Sequence, residues 1–293
     1  MKGLIVTADD FGAAVEVNEA VELAHRDGIL TAASLMMTAP AAADAVSRAR
    51  RMPMLRVGLH LVFTEGRPVL PASEVPSLVN ETGTFRSDVV ALGCILMCSR
   101  QARLQLAAEI AAQFEAFRAT GLTLDHCNAH KHFHLHPVIG SLLVATGRRF
   151  GLRSVRVPRE PAAPLAPLAA KWPSIEAQLM APFTGALRRK VVNSGMHVPD
   201  QVFGLRWSGQ MTKTRLLHLI PRLPEGLSEI YLHPTTQTLS GHAKGDHDDS
   251  ELAALIDPDV IAACRKATLT MGGYADFLSC VPKPRFDPEH NAA

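Results

Sequence analysis

Residues 125–137 read DHCNAHKHFHLHP and hold five of the chain's thirteen histidines. Packing alone gives no reason for such a density. His130, His132, His134 and His136 alternate, so an extended stretch would turn all four to one side, whereas His126 and His130, four apart, would meet on a helix. Either conformation gathers imidazoles; a histidine run lying idle on the surface is the plain alternative. Three further stretches carry matching chemistry: the pair Asp9-Asp10, His60 in LRVGLHL, and His233 in YLHP. Carboxylates combined with imidazoles from separate parts of a chain are the donors a divalent cation takes. Standing alone, each has a plainer reading, with Asp9 or Asp10 as a helix N-cap and His60 as a hydrogen-bonded core residue. Cys127 reads as a buried inert thiol before it reads as a ligand. His242 and His247 lie in a polar loop, and Arg48, Arg50, Arg51, Arg148 and Arg149 read as solvated helix faces.

Strands and helices taking turns would position these groups. Residues 3–9, 30–37, 55–61, 122–128, 152–157, 201–203, 227–234 and 268–271 read as strands. Helices are expected over 41–51, 101–120, 137–150, 174–191, 212–220, 248–256 and 258–265, and also after residue 14, where Val15, Ala20, Leu23 and Ala24 can share a face. Such alternation implies a parallel sheet, open or closed into a barrel, within a single α/β domain spanning residues 1–293. In these folds ligands gather where strands finish at their carboxyl ends. The aspartate pair, His60, the histidine cluster and His233 all follow such ends. Residues 63–99 are too long for a plain connector and read as a lid-like insertion with short local structure, and 158–173, rich in proline, as a loop crossing the surface.

Composition limits the partners. The 293 residues are 47% hydrophobic with a formal net charge of +2, ordinary for a globular chain and no sign of nucleic-acid binding. The longest apolar run, residues 89–98, is about half of what a membrane span needs, and the N-terminus shows no secretory pattern, so a cytoplasmic location is expected. Five cysteines without a CxxC pair read as reduced thiols. The sequence leaves homo-oligomerisation open.

TADDFG (7–12), GLHL (58–61), HKHFHLHP (130–137) and YLHP (231–234) together resemble the motifs of the YdjC-like carbohydrate deacetylases, which include chitooligosaccharide deacetylases, in order and over nearly the full chain. The resemblance implies an irregular (β/α) barrel and hydrolysis of the N-acetyl group of an N-acetylglucosamine-containing substrate. It also implies one divalent metal ion, zinc or magnesium, held by Asp10, His60 and His130, with Asp9 as general base. NAHKHFHLHP (128–137) and HPTTQT (233–238) resemble the branch associated with hopanoid biosynthesis, whose implied substrate is an N-acetylglucosaminyl hopanoid lipid. Many relatives carry Asp-Ser where this chain has Asn128-Ala129, so a role for that aspartate does not transfer.

Chemistry assigns the rest. Amide hydrolysis needs an activated water, a stabilised oxyanion and a proton for the leaving amine. His233 is the candidate acid and His132 the second. On geometry alone His132 also rivals His130 as a ligand. His132 and Arg156 are the candidate substrate-binding residues; Arg156 could instead orient a carboxylate or form a surface salt bridge. A metal-dependent hydrolase of another amide or a phosphoester would use the same ligands, as would a non-catalytic metal-binding protein. A lipid-linked substrate would require apolar surface near the site, with residues 91–97 the place to look, and peripheral membrane contact.

Overall fold

The computed structural model describes residues 2–166, 168, 175–237 and 249–280. The elements run β1 (Lys2–Phe11), α1 (Val15–Asp27), β2 (Ala32–Leu35), α2 (Ala42–Arg50), β3 (Arg56–Leu61), α3 (Val89–Cys98), α4 (Arg100–Ala119), β4 (Cys127–Ala129), α5 (Pro137–Arg149), α6 (Ile175–Asn193), β5 (Gln201–Phe203), α7 (Lys213–Leu219), β6 (Gly226–Leu232), α8 (Asp249–Leu255), α9 (Pro258–Lys266) and β7 (Thr270–Met271). All ladders between these strands are parallel. β1 is the central strand, buried from Gly3 onward, which is why it reads as a continuous apolar run rather than an alternating one.

The sheet order is β4-β3-β2-β1-β6-β5, with β7 beside the first residues of β1. The ring closes irregularly. The backbone of 153–159 bonds to β4 on one side, through Cys127 N to Ser154 O and Arg156 N to Cys127 O. On the other side it bonds to His197 and to β5, through Val202 N to Arg159 O. The expected strand over 152–157 is therefore a connecting rib with bridges at Ser154 and Val155. The result is a single-domain, irregular (β/α) barrel, as the alternation predicts. Since the strands run one way, the ends of β1, β3, β4 and β6 share one face.

Local corrections have simple causes. α1 buries Val17, Asn18, Ala20, Val21 and Ala24, while Val15 and Leu23 are 47% and 41% exposed. Each stands two residues, about 200°, from a buried position. The N-cap of α1 is Ala14, without a side-chain bond, so neither aspartate serves as its cap. The stretch 63–99 is more ordered than a loop: it holds an antiparallel Val79–Phe85 bridge and α3, capped by Asp88. Buried Glu109 of α4 accepts the backbone N–H groups of Val69 and Leu70, and Gln105 accepts that of Ser77. That explains why α4 buries polar side chains: they satisfy the backbone of the irregular segment above it. His242 and His247 lie outside the described residues.

Candidate active site

Adjacent residues on a regular strand point to opposite faces, so Asp9 and Asp10 should not reach one site. The register of β1 against β2 slips between Ala8 and Phe11, and Asp10 has a left-handed φ of 60°. This bulge swings both carboxylates to the carboxyl-end cavity, which both line. The histidine cluster is irregular too. After β4 the chain enters two short 3-10 turns, with Lys131 and His132 at φ 53° and 52°. It is neither extended nor α-helical, so the four alternating imidazoles do not share a side. Among the described residues, five non-glycines have positive φ, and four of them (Asp10, Glu65, Lys131, His132) line this cavity. Such strain concentrates at functional sites.

The turn brings His130, not His132, to Asp10. Asp10 Oδ1 lies 3.2 Å from His60 Nε2 and 3.1 Å from His130 Nδ1, and one ligand atom from each residue lies within 4.8 Å of the others. The donor set suits a divalent ion. Among the described residues His60 Nε2, a buried nitrogen, has no hydrogen-bond partner, which fits a cation ligand. Burial would lower the His130 imidazole, but Asp10 beside it holds it above its ordinary value. Glu65 Oε2 stands 3.7 Å from His130 Nε2, and its other oxygen pairs with Lys131 at 2.5 Å.

Asp9 is held from beneath. Its Oδ2 accepts from Arg156 NH1 at 2.5 Å, and its Oδ1 from Asn128 Nδ2 at 3.1 Å. Arg156 also donates to Glu229 Oε1 at 2.7 and 3.0 Å, and Thr7 and Tyr274 donate to Glu229 as well. Burial opposes the charge on Asp9, yet Arg156 and His60 hold its carboxyl well below the usual carboxylate range. Arg156 is fully buried. The surface salt bridge read at Arg156 is therefore not formed: its hydrogen bonds go to two interior carboxylates, Asp9 and Glu229.

The remaining imidazoles separate by surroundings. His132 lines the cavity; its Nε2 lies 3.0 Å from Tyr231 Oη, and its Nδ1 has no hydrogen-bond partner among the described residues. Burial, with Arg156 nearby, lowers it well below its ordinary value. His134 bonds to the Arg156 carbonyl and is pushed down to about 4, chiefly by burial. His126 lies in the interior, far from serving with His130 as a helical pair. His233 lines the cavity just after β6, with its backbone N–H donating to Glu251 at 2.6 Å. Cys127 is buried with its thiol pushed up by desolvation, the inert reading. Sequence reasoning missed Asn128, Ser34, Glu229 and Tyr231 as partners of the site. Tyr231 lies inside YLHP and Asn128 opens NAHKHFHLHP, whereas Ser34 and Glu229 lie in no recognised motif.

A family model for YdjC-like protein matches residues 3–266. The chain belongs to the YdjC-like family. The family read from the four motifs is thereby borne out. A carbohydrate deacetylase of Geobacillus stearothermophilus is 31% identical over 93% of this YdjC-like chain and 97% of its own. One from Vibrio vulnificus strain CMCP6 is 36% identical over 95% and 99%. An Enterococcus faecalis V583 crystal structure, named for cellobiose-phosphate cleavage, superimposes with a TM-score of 0.73 at 24% identity, covering 94% of this chain and 98% of that one, a likeness of fold.

Proposed function

We propose that this YdjC-like protein is a metal-dependent carbohydrate deacetylase that hydrolyses the N-acetyl group of an N-acetylglucosamine-containing substrate. The observation that carries the reading is the meeting of Asp10, His60 and His130 beside the Asp9 carboxylate in one cavity. Relatives named carbohydrate deacetylases along their whole length support the substrate class.

A divalent cation held by Asp10, His60 and His130, zinc or magnesium, would supply Lewis-acid polarisation of the acetyl carbonyl and acidify the attacking water. Asp9, fixed by Arg156 and Asn128 and kept ionised, receives the water's proton. His233 delivers a proton to the leaving amine. His132 is the weaker candidate for that acid, because burial keeps its ring neutral and without a proton to give; with an Nδ1 that has no partner among the described residues at the cavity wall, it serves as a contact for the substrate.

The cavity measures about 1810 Å³, above the roughly 300–1,000 Å³ usual for small-molecule sites. Its walls include Met36, Val62, Leu135, Met180 and Phe183, and Val89 places the start of α3 at its edge. On α3, Val90 and Met97 are 73% and 56% exposed; on α6, Leu179 and Phe183 are 67% and 43% exposed. Apolar walls and rim favour a lipid-linked acceptor, with an N-acetylglucosaminyl hopanoid the specific candidate. Residues 63–99 then act as a lid bearing part of that rim, and the protein works as a peripheral enzyme at the cytoplasmic face of a membrane. Among the described residues no helix is long and apolar enough to cross a membrane.

The test joins metal analysis of purified protein to acetate release from a panel of N-acetylglucosamine conjugates. Bound divalent metal with acetate release from N-acetylglucosaminyl lipid is expected. Metal without acetate release from any conjugate would sink the deacetylase reading, and equal turnover of soluble chitobiose and glycolipid would sink the lipid specialisation.

A further inference from the structure

We propose that Asn128 is a positioning residue whose single amide sets the ring tautomer of His60 and the orientation of Asp9, at the end of a buried relay beginning at Asp125. The proposal rests on reading Asp10, His60 and His130 as a cation site.

The relay can be assigned hydrogen by hydrogen. The Asp125 carboxylate accepts the backbone N–H groups of Tyr274 at 3.1 Å and Ala275 at 2.8 Å, and lies 2.9 Å from His126 Nδ1. A carboxylate only accepts, so Nδ1 carries the hydrogen, and in the neutral ring His126 Nε2 is left as an acceptor. Ser34 Oγ, 3.0 Å from that Nε2, donates its hydrogen there. Its lone pairs then accept from Asn128 Nδ2 at 3.1 Å. The second hydrogen of the same Nδ2 goes to Asp9 Oδ1 at 3.1 Å.

With Nδ2 pinned by two acceptors, the amide cannot flip. Asn128 Oδ1 must face His60 Nδ1 at 2.7 Å, and that contact holds only if Nδ1 is the protonated nitrogen. In the neutral ring His60 Nε2 then keeps a lone pair, 3.2 Å from Asp10 Oδ1, where it can serve as a ligand. Asp125, His126, Ser34, Asn128 and His60 are each 0–3% exposed, so bulk water does not compete for these bonds. An outer partner that fixes the ring nitrogen opposite the metal is the usual support of a ligating histidine. Here that partner also grips the proton-accepting carboxylate.

The test begins with metal-free wild-type protein, and its spectral and zinc-titration arms need no substrate, so those arms are independent of the deacetylase reading. Two-dimensional proton–nitrogen spectra of the histidine rings at neutral pH should show His60 as the Nδ1–H form; the Nε2–H form would overturn the proposal. Zinc titrated against a chromogenic chelator should bind Asn128→Leu about 10- to 100-fold more weakly than wild type. Asn128→Asp keeps an acceptor facing His60 and should restore most of that affinity. Wild-type affinity in Asn128→Leu, or no rescue by Asn128→Asp, contradicts the assignment. At saturating zinc, Asn128→Leu should also lose at least about tenfold in kcat with KM little changed, reading the hold on Asp9; an unchanged kcat removes that half of the proposal. Should Asn128→Leu fail to fold, the wild-type spectrum and the Asn128→Asp titration still decide.

Discussion

The floor and the rim of the cavity follow opposite rules. On the floor, Asp9 is held by Arg156 and Asn128, and Glu229 by Arg156, Thr7 and Tyr274. At the rim, α3 and α6 offer exposed apolar side chains. A buried charge must be paired or it costs several kcal/mol, so the floor tolerates little change. A rim side chain loses only the area it covers. The floor is thus fixed by paired charge, whereas the rim is exposed apolar surface.

That contrast can be broken most severely at the ligands. Asp10→Ala should abolish bound divalent metal, measured by elemental analysis, together with acetate release. Retained stoichiometric metal would remove Asp10 from the site. Asp9→Asn should keep the metal and lose about 10²- to 10⁴-fold in kcat, the usual share of a general base. A variant with near-normal kcat would assign the proton transfer elsewhere.

Beneath the ligands, Arg156→Met leaves Asp9 and Glu229 buried without their cation. Denaturant unfolding should show a loss of about 3–5 kcal/mol. A neutral effect would mean the two carboxylates take up protons at little cost. At the rim, Phe183→Ser should raise KM for a glycolipid by about tenfold, the effect of roughly two buried methylene groups, while soluble chitobiose kinetics stay unchanged. Parallel losses on both substrates would deny the rim a role in lipid recognition.

A pH-dependent effect concerns Glu160, a cavity-wall carboxyl that accepts the N–H groups of Gly204, Leu205 and Arg206. Burial pushes it up from 4.5 to about 7 despite those bonds. Its folded value exceeds its unfolded one, so its stabilising contribution is complete below about pH 4.5 and is lost as pH rises toward 7. The slope is at most one proton, about 1.4 kcal/mol per pH unit. Melting temperatures measured between pH 5 and 7.5 should fall in wild type and flatten in Glu160→Gln; identical curves would show that Glu160 does not titrate there.

The amino-acid order by itself determined the strand and helix alternation, the aspartate pair, the histidine cluster and the four motifs. These are legible because parallel strands announce themselves as short apolar runs and their carboxyl ends converge on one face. Tertiary structure decided which imidazole meets Asp10. His130 and His132 are equivalent by alternation, and only the left-handed backbone at Lys131 and His132 separates them. It also decided that both aspartates face the cavity, through a bulge set by the register against β2. Arg156, Glu229 and Asn128 acquire their roles from partners 45 to 222 residues away, across elements whose neighbours no local pattern names. Hydrogen-bond direction and burial belong to the assembled barrel, because they depend on which groups water has left.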